Sequence, residues 1–177
     1  EDAFHGKGGP LGVSNLRTPH PLHDAFVKAC EEAGYPYNPD FNGAEQEGCG
    51  PLQLTVKGRR RCSAAVGYLN PVKSRRNLQI EVHALTHAVM LEGKRAVGIR
   101  YAQHGVIKEA RASREVLLCG GAINSPQILQ LSGIGPGALL QEHGIEVRHE
   151  LPGVGENLQD HVGGRLLYRC KDHVTTM

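Results

Sequence analysis

The sequence predicts a mixed α/β fold, and three observations carry that expectation. Residues 115–119 (EVLLC) read as a buried strand that runs through the double glycine Gly120-Gly121 toward a helix start at Ser125-Pro126. Residues 78–112 hold short β-prone segments parted by tight glycine turns, the mark of an antiparallel meander. Residues 22–33 instead repeat apolar side chains at helical spacing. A meander feeding a buried strand is not a simple βαβ repeat.

Each element follows from local chemistry. Residues 1–21 are rich in Gly, Pro and His and read as an extended loop. Leu22, Phe26, Val27, Cys30 and Ala33 then mark out a helix, with Gly34 as its natural stop. Residues 35–52 have turn chemistry throughout and read as a surface loop. Residues 62–72 fit a short helix that ends before Pro71. Strands are expected at 78–84, 87–91, 96–101 and 106–112, with turns at Glu92-Gly93-Lys94 and Gln103-His104-Gly105. Ser125 at an N-cap and Pro126 at N1 would open the next helix, and Ser132-Gly133 would close it. Pro136 starts a further helix ending at Gly144, residues 145–150 fit a strand, and 152–161 (PGVGENLQDH) form a polar loop.

Composition narrows the class. The 177 residues can bury a sizeable core, and 40% hydrophobic and 21% charged residues with a formal charge of +2 describe an ordinary globular chain. No apolar run approaches the roughly 20 residues that cross a bilayer. The first residues, EDAFHGKGGP, lack an initiating methionine and a signal-peptide pattern, so the chain is expected to begin inside a longer reading frame. Five widely spaced cysteines without a C-x-x-C pair argue against a disulfide scaffold and a zinc site, and Cys30 and Cys119 read as small core residues. His20 and His23, or His83 and His87, do not converge on a metal at their spacing, and no metal ligand set is expected. The basic runs 57–61 (KGRRR) and 73–76 (KSRR) could contact phosphate, but 5% aromatics and no tryptophan give bases nothing to stack on, so no nucleic acid is expected.

The order of residues says more than their spacing. Residues 121–135 (GAINSPQILQLSGIG) resemble the second signature of the glucose–methanol–choline (GMC) oxidoreductases: small residues at Gly121 and Ala122, Ser125-Pro126, Ile128-Leu129, and Ser132-Gly133-Ile134-Gly135. The segments HGKGGPL (5–11), AGYP (33–36), 42–51, GYLNPVKSRRNL (67–78) and LPGVGENLQDH (151–161) look like the choline dehydrogenase branch, so nearly the whole chain is covered.

That resemblance implies a fold, a cofactor and a substrate class. The fold would be part of an FAD-binding domain of the glutathione-reductase type, its meander interrupting a parallel sheet, together with part of a substrate domain. Residues 1–60 would be a substrate-domain or loop segment, 61–161 the FAD-domain segment, and 162–177 the start of a substrate-domain strand. The cofactor would be FAD, and the activity hydride transfer from a small, choline-like alcohol to the flavin. The resemblance puts the backbone of Gly120, Gly121 and Ala122 on the adenosine side of FAD. It puts Leu85 and Thr86 beside the adenine where a strand bends, and adds Ser125 and Asn157 as further cofactor contacts. Asn157, Gln159, Asp160 and His161 would be structural or would help seat the flavin rather than form an acid–base pair. Arg61 and Ser63 match an Arg-x-Ser pattern with a packing or substrate-domain role.

Two features of the family pattern have no counterpart in this chain. The G-x-G-x-x-G fingerprint that binds the pyrophosphate is not found, and no residue matches the family's catalytic histidine pair. No catalytic residue is therefore assigned, and the chain is expected to correspond to the middle of an enzyme roughly three times longer. A non-catalytic binding module on the same fold is the alternative, and a nucleic-acid binder using the basic runs is a third reading. Compartment, oligomeric state and the choice between oxidase and dehydrogenase stay open.

Overall fold

A computed structural model of the chain describes residues 3–18, 20–164, 167–171 and 174. It divides into two compact units, Glu1–Ile80 with Leu166–Met177, and Glu81–Arg165.

In the first unit, helix α1 (Pro21–Glu32) starts where proline sits at the first turn and His20 Nδ1 accepts the Leu22 N–H at 3.2 Å. It ends at Ala33, just before Gly34 at φ +93°. The polar loop that follows is organised from inside. Asn38 is buried, and its Nδ2 donates to the carbonyls of Glu45 (2.9 Å) and Glu47 (3.0 Å). Its Oδ1 accepts the Asp40 N–H at 2.8 Å, and a parallel bridge joins Tyr37 to Cys49. The loop expected at 35–52 is thus a folded unit around one amide side chain.

A two-residue hairpin pairs β1 (Val56–Lys57) with β2 (Arg60–Arg61) and carries the basic run on exposed side chains. Cys62 behind it is almost fully buried, and its sulfur accepts the Gly12 N–H at 3.3 Å. The helix expected over 62–72 is a single π-turn, Ala65–Leu69, with Asn70 N–H bonded to Ala65 C=O. Ser63 Oγ accepts the Val66 N–H at its start. Ser63 thus holds the start of this turn locally.

The second unit is built on an antiparallel meander of β3 (Ala84–Glu92), β4 (Arg95–Gln103) and β5 (Val106–Arg111), in that order across the sheet. His104 (φ 51°) and Gly105 (φ 78°) form the β4–β5 turn, both left-handed as a type I′ hairpin demands. The expected strands at 78–84 and 87–91 become one strand starting at Ala84. Just before it, the Val82 carbonyl is bonded at 2.9 Å by the Gln103 side chain rather than by a strand backbone.

Residues 115–119 form no strand, since no other strand pairs with them among the described residues. Leu117 and Cys119 are accordingly exposed, which corrects the reading of Cys119 as a core residue. Helix α2 (Gly121–Leu131) begins four residues before Ser125, with Gly120 as N-cap and Pro126 inside it. A small parallel unit follows: β6 (Ile134–Gly135), α3 (Gly137–Glu142) and β7 (His149–Glu150). Of the strand expected at 145–150, only the last two residues pair. Glu150 explains the α3 start, because its Oε1 accepts the Gly137 N–H at 3.0 Å. Leu140 is the most enclosed large side chain, and Val89, Val97 and Val154 complete the core of this unit. The strand expected to begin within 162–177 falls partly outside the described residues, and those that are described there carry none.

Asn38→Ala should destabilise the chain by about 2 kcal/mol, since two loop carbonyls and one N–H lose their partner. Urea unfolding followed by circular dichroism checks this, and an unchanged midpoint would remove Asn38 as the loop organiser.

Candidate functional site

The candidate site is organised by α2. At its C-terminal end the Ser132 hydroxyl accepts the Val89 N–H at 2.7 Å and donates to the Ile128 carbonyl at 2.5 Å. β3 is an edge strand of the meander, so this hydroxyl satisfies a sheet-edge donor that would otherwise be orphaned. Next to it Gly133 has φ +82°, and a Cβ there would collide with the Glu146 carbonyl. Its own carbonyl accepts from Arg148 N–H (2.8 Å) and His149 N–H (3.0 Å), which starts the small parallel pair.

The N-terminal end of α2 is left open. Gly121 adopts φ +85° with nothing within 4 Å of the position a side chain would take. Gly120, Gly121 and Ala122 are exposed. Ser125 does not cap the helix as expected. It lies in its second turn, where Oγ reaches back to accept the Gly120 N–H at 3.0 Å and fixes the glycine turn from inside. The next backbone N–H groups, which a helix start leaves without intrahelical partners, therefore face open space together with the positive end of the helix dipole. Such a start can receive an anionic or hydrogen-bond-accepting group that approaches the backbone closely.

Leu85 and Thr86 lie on β3, paired with Ala102 and Tyr101. The register slips between Thr86 and Ala88, a bulge at His87 that bends the strand beside them. Leu85 is 68% exposed. Asn157 sits at φ 55° in the loop after Val154. That loop is held to α2, since Gln130 Nε2 donates to the Val154 carbonyl at 3.1 Å and Val154 itself is buried. The candidate residues are thus tied to the same helix, though among the described residues no hydrogen bond joins one group of them to another. Asp160 takes the N–H of its own neighbour His161 at 2.7 Å, so its carboxylate is engaged locally.

Two hollows lie elsewhere. One of about 390 Å³ lies between β3 and residues 145–148, with Arg100, Arg111 and Arg148 on its walls. These arginines face Glu109 (3.7 Å), Glu92 (3.1 Å) and Glu146 (3.3 Å) on exposed surface, where such pairs contribute little. The other, about 730 Å³, belongs to the first unit and runs along α1. Neither is lined by a candidate cofactor residue. No group of three or more metal-ligating side chains occurs among the described residues, and no helix described is long and apolar enough to cross a membrane.

Sequence reasoning passed over the tertiary work of Ser132, Gln130 and Glu150. Ser132 was visible only as a helix stop, and nothing local signals that its hydroxyl reaches a strand 43 residues away.

Known proteins match this arrangement. The GMC oxidoreductase family model matches residues 1–163. The oxygen-dependent choline dehydrogenase of Chromohalobacter salexigens is 54% identical over 97% of this chain, and the mitochondrial choline dehydrogenase of Homo sapiens is 49% identical over 97%. The chain spans 31% and 29% of the lengths of those two relatives. Among solved structures, pyridoxine 4-oxidase from Mesorbium loti superposes with a TM-score of 0.79 at 33% identity, covering 84% of this chain and 29% of that one. An FAD-dependent oxidoreductase from Chaetomium thermophilum gives 0.82 at 32% identity, covering 90% and 28%.

Ser132→Ala should cost about 1–3 kcal/mol by stranding the Val89 N–H. Hydrogen exchange at the Val89 amide should accelerate at least about tenfold, and protection equal to that of the parent would refute the edge role of Ser132.

Proposed function

Because the chain belongs to the GMC oxidoreductase family, whose cofactor is FAD, we propose that it forms the adenosine-side part of the flavin site of a choline-dehydrogenase-like alcohol oxidoreductase. The observation that carries this reading is the exposed helix start at Gly120, Gly121 and Ala122, fixed by Ser125, with open space at the position a Gly121 side chain would take. A dinucleotide needs such a cradle, because its adenosine and phosphate oxygens must approach backbone N–H groups that a Cβ would hold off. Leu85 and Thr86 would flank the adenine at the bulge, and Asn157 would close the site from the loop anchored on Gln130.

The bound flavin would supply the two-electron acceptor for oxidation of a small alcohol, choline or a close analogue. This chain's residues position that cofactor. None of them is assigned to remove the substrate's hydroxyl proton. Residues 1–60 would belong to a substrate-domain or loop segment and 61–161 to the FAD-domain segment.

Exposed apolar side chains on the same elements favour this reading over a self-contained binding module. Leu85, Leu117, Ile123 and Leu158 are each between 66% and 75% exposed. Large apolar side chains exposed to that degree on a cofactor-bearing unit favour coverage by a further part of the protein.

A chimera tests the proposal: residues 1–163 of this chain replace their counterparts in a curated choline dehydrogenase. It should bind FAD and oxidise choline, and Gly121→Val in it should weaken FAD binding at least about tenfold, or about 1.4 kcal/mol. The chain on its own should show no choline turnover. A folded chimera that binds no flavin, or a Gly121→Val variant with parent affinity, would overturn the assignment.

A further inference from the structure

Cys30 and Cys49 are free thiols from different elements that the fold brings together. Cys30 lies in the third turn of α1, half-buried, one turn beyond Val27 on the same side of the helix. Cys49 is buried beneath that turn, its sulfur 3.7 Å from the Val27 carbonyl and 3.6 Å from the Pro36 carbonyl. The surrounding backbone locks both in place. Tyr35 N–H bonds to the Cys30 carbonyl at 3.0 Å, and Cys49 N–H bonds to the Pro36 carbonyl at 2.9 Å. The Val27 carbonyl that Cys49 Sγ reaches is one turn from Cys30 on α1, which puts the two thiols side by side. Burial first, then Cys30 and Glu31, push the Cys49 thiol up from its ordinary value, so it rests protonated at neutral pH.

We propose that Cys30 and Cys49 form an oxidisable dithiol, converted by hydrogen peroxide to a disulfide that staples the end of α1 to the loop around Asn38. Cys30 is the accessible member and reacts first: its thiolate attacks one peroxide oxygen, the O–O bond breaks, and Cys30 becomes a sulfenic acid as hydroxide leaves and takes up a proton. The Cys49 sulfur then attacks the Cys30 sulfur, loses its proton, and expels the sulfenic oxygen as water. Two thiols and one peroxide give one disulfide and two waters. Two electrons pass from sulfur to oxygen. Cys62 is buried with its sulfur on Gly12 N–H and the Pro10 carbonyl, and Cys119 and Cys170 are exposed, so the buried partner thiol sets the 30–49 pair apart.

The staple would act on the groove along α1. Val27, Glu31 and Tyr37 all line it; Val27 and Glu31 neighbour Cys30 on the helix, and Tyr37 is bridged to Cys49. Closing the 30–49 loop would hold these lining residues at one separation.

Peptide mapping tests this directly. No Lys or Arg lies between Lys28 and Lys57, so trypsin releases residues 29–57 as one peptide with Cys30 and Cys49 as its only cysteines. The folded chain is treated with hydrogen peroxide, then denatured in iodoacetamide and digested. The peptide should lose both alkyl groups, weigh about 2 Da less than its reduced form, and recover both thiols after dithiothreitol. In Cys30→Ser, checked for folding by circular dichroism, Cys49 should stay fully alkylated under the same treatment. Two alkylated cysteines after peroxide, or Cys30 found as sulfinic acid beside a free Cys49, would overturn the proposal. So would an equal yield in urea, since the fold would then contribute nothing to the pairing.

Discussion

One hydroxyl holds the second unit together. Ser132 ends α2, and its oxygen serves two backbone groups at once, the Val89 N–H of the meander edge and the Ile128 carbonyl of its own helix. A buried donor left without a partner costs more than most exposed contacts return. The surface ion pairs Arg100–Glu109, Arg111–Glu92 and Arg148–Glu146 are about half exposed or more and contribute little beside it. Fixing the end of α2 on β3 sets the line of the helix. The open glycine start and the Gln130 anchor of the Asn157 loop are then carried along that line.

Glycine and serine alternate in role along this segment. Gly121 leaves the helix start bare, and Ser125 keeps that bare turn in shape by taking the Gly120 N–H. At the other end Ser132 makes the tertiary bond, and Gly133 lets the chain pass against the Glu146 carbonyl where a side chain could not. Both ends of α2 therefore use the same pairing of a small polar side chain with an unencumbered backbone. A cofactor site gains from this arrangement, because its donors are backbone groups held by the fold rather than mobile side chains.

The first unit solves a different problem with few large apolar residues in its interior. Its most enclosed side chains are Cys62, Asn38 and Cys49. Small sulfur atoms fill narrow gaps and accept or donate weak hydrogen bonds, while Asn38 satisfies two carbonyls that a turn-rich loop would otherwise leave unpaired. A core assembled from polar and sulfur contacts is specific in geometry and modest in energy. Its reactivity follows from the same choice, since a pair of thiols is also a redox couple.

Much was legible in the sequence. Helical spacing located α1, glycine turns located the hairpins of the meander, and the residues of 121–135 pointed to the GMC family, because these signals are local and rest on side-chain period and backbone strain. Boundaries that depend on distant partners were not legible. Val82 sits outside the sheet with its carbonyl bonded to a glutamine side chain on β4, and the apolar run 115–119 formed no strand because ladder bonds need a second strand. The α2 start moved back from Ser125 to Gly121 because the serine hydroxyl bonded a backbone group behind it rather than ahead. Sequence alone determined which segments want to be helix, turn or strand, since those preferences act within a few residues. Tertiary structure alone decided where hydrogen bonds between segments are made, since each needs two groups far apart in the chain to meet within about 3 Å.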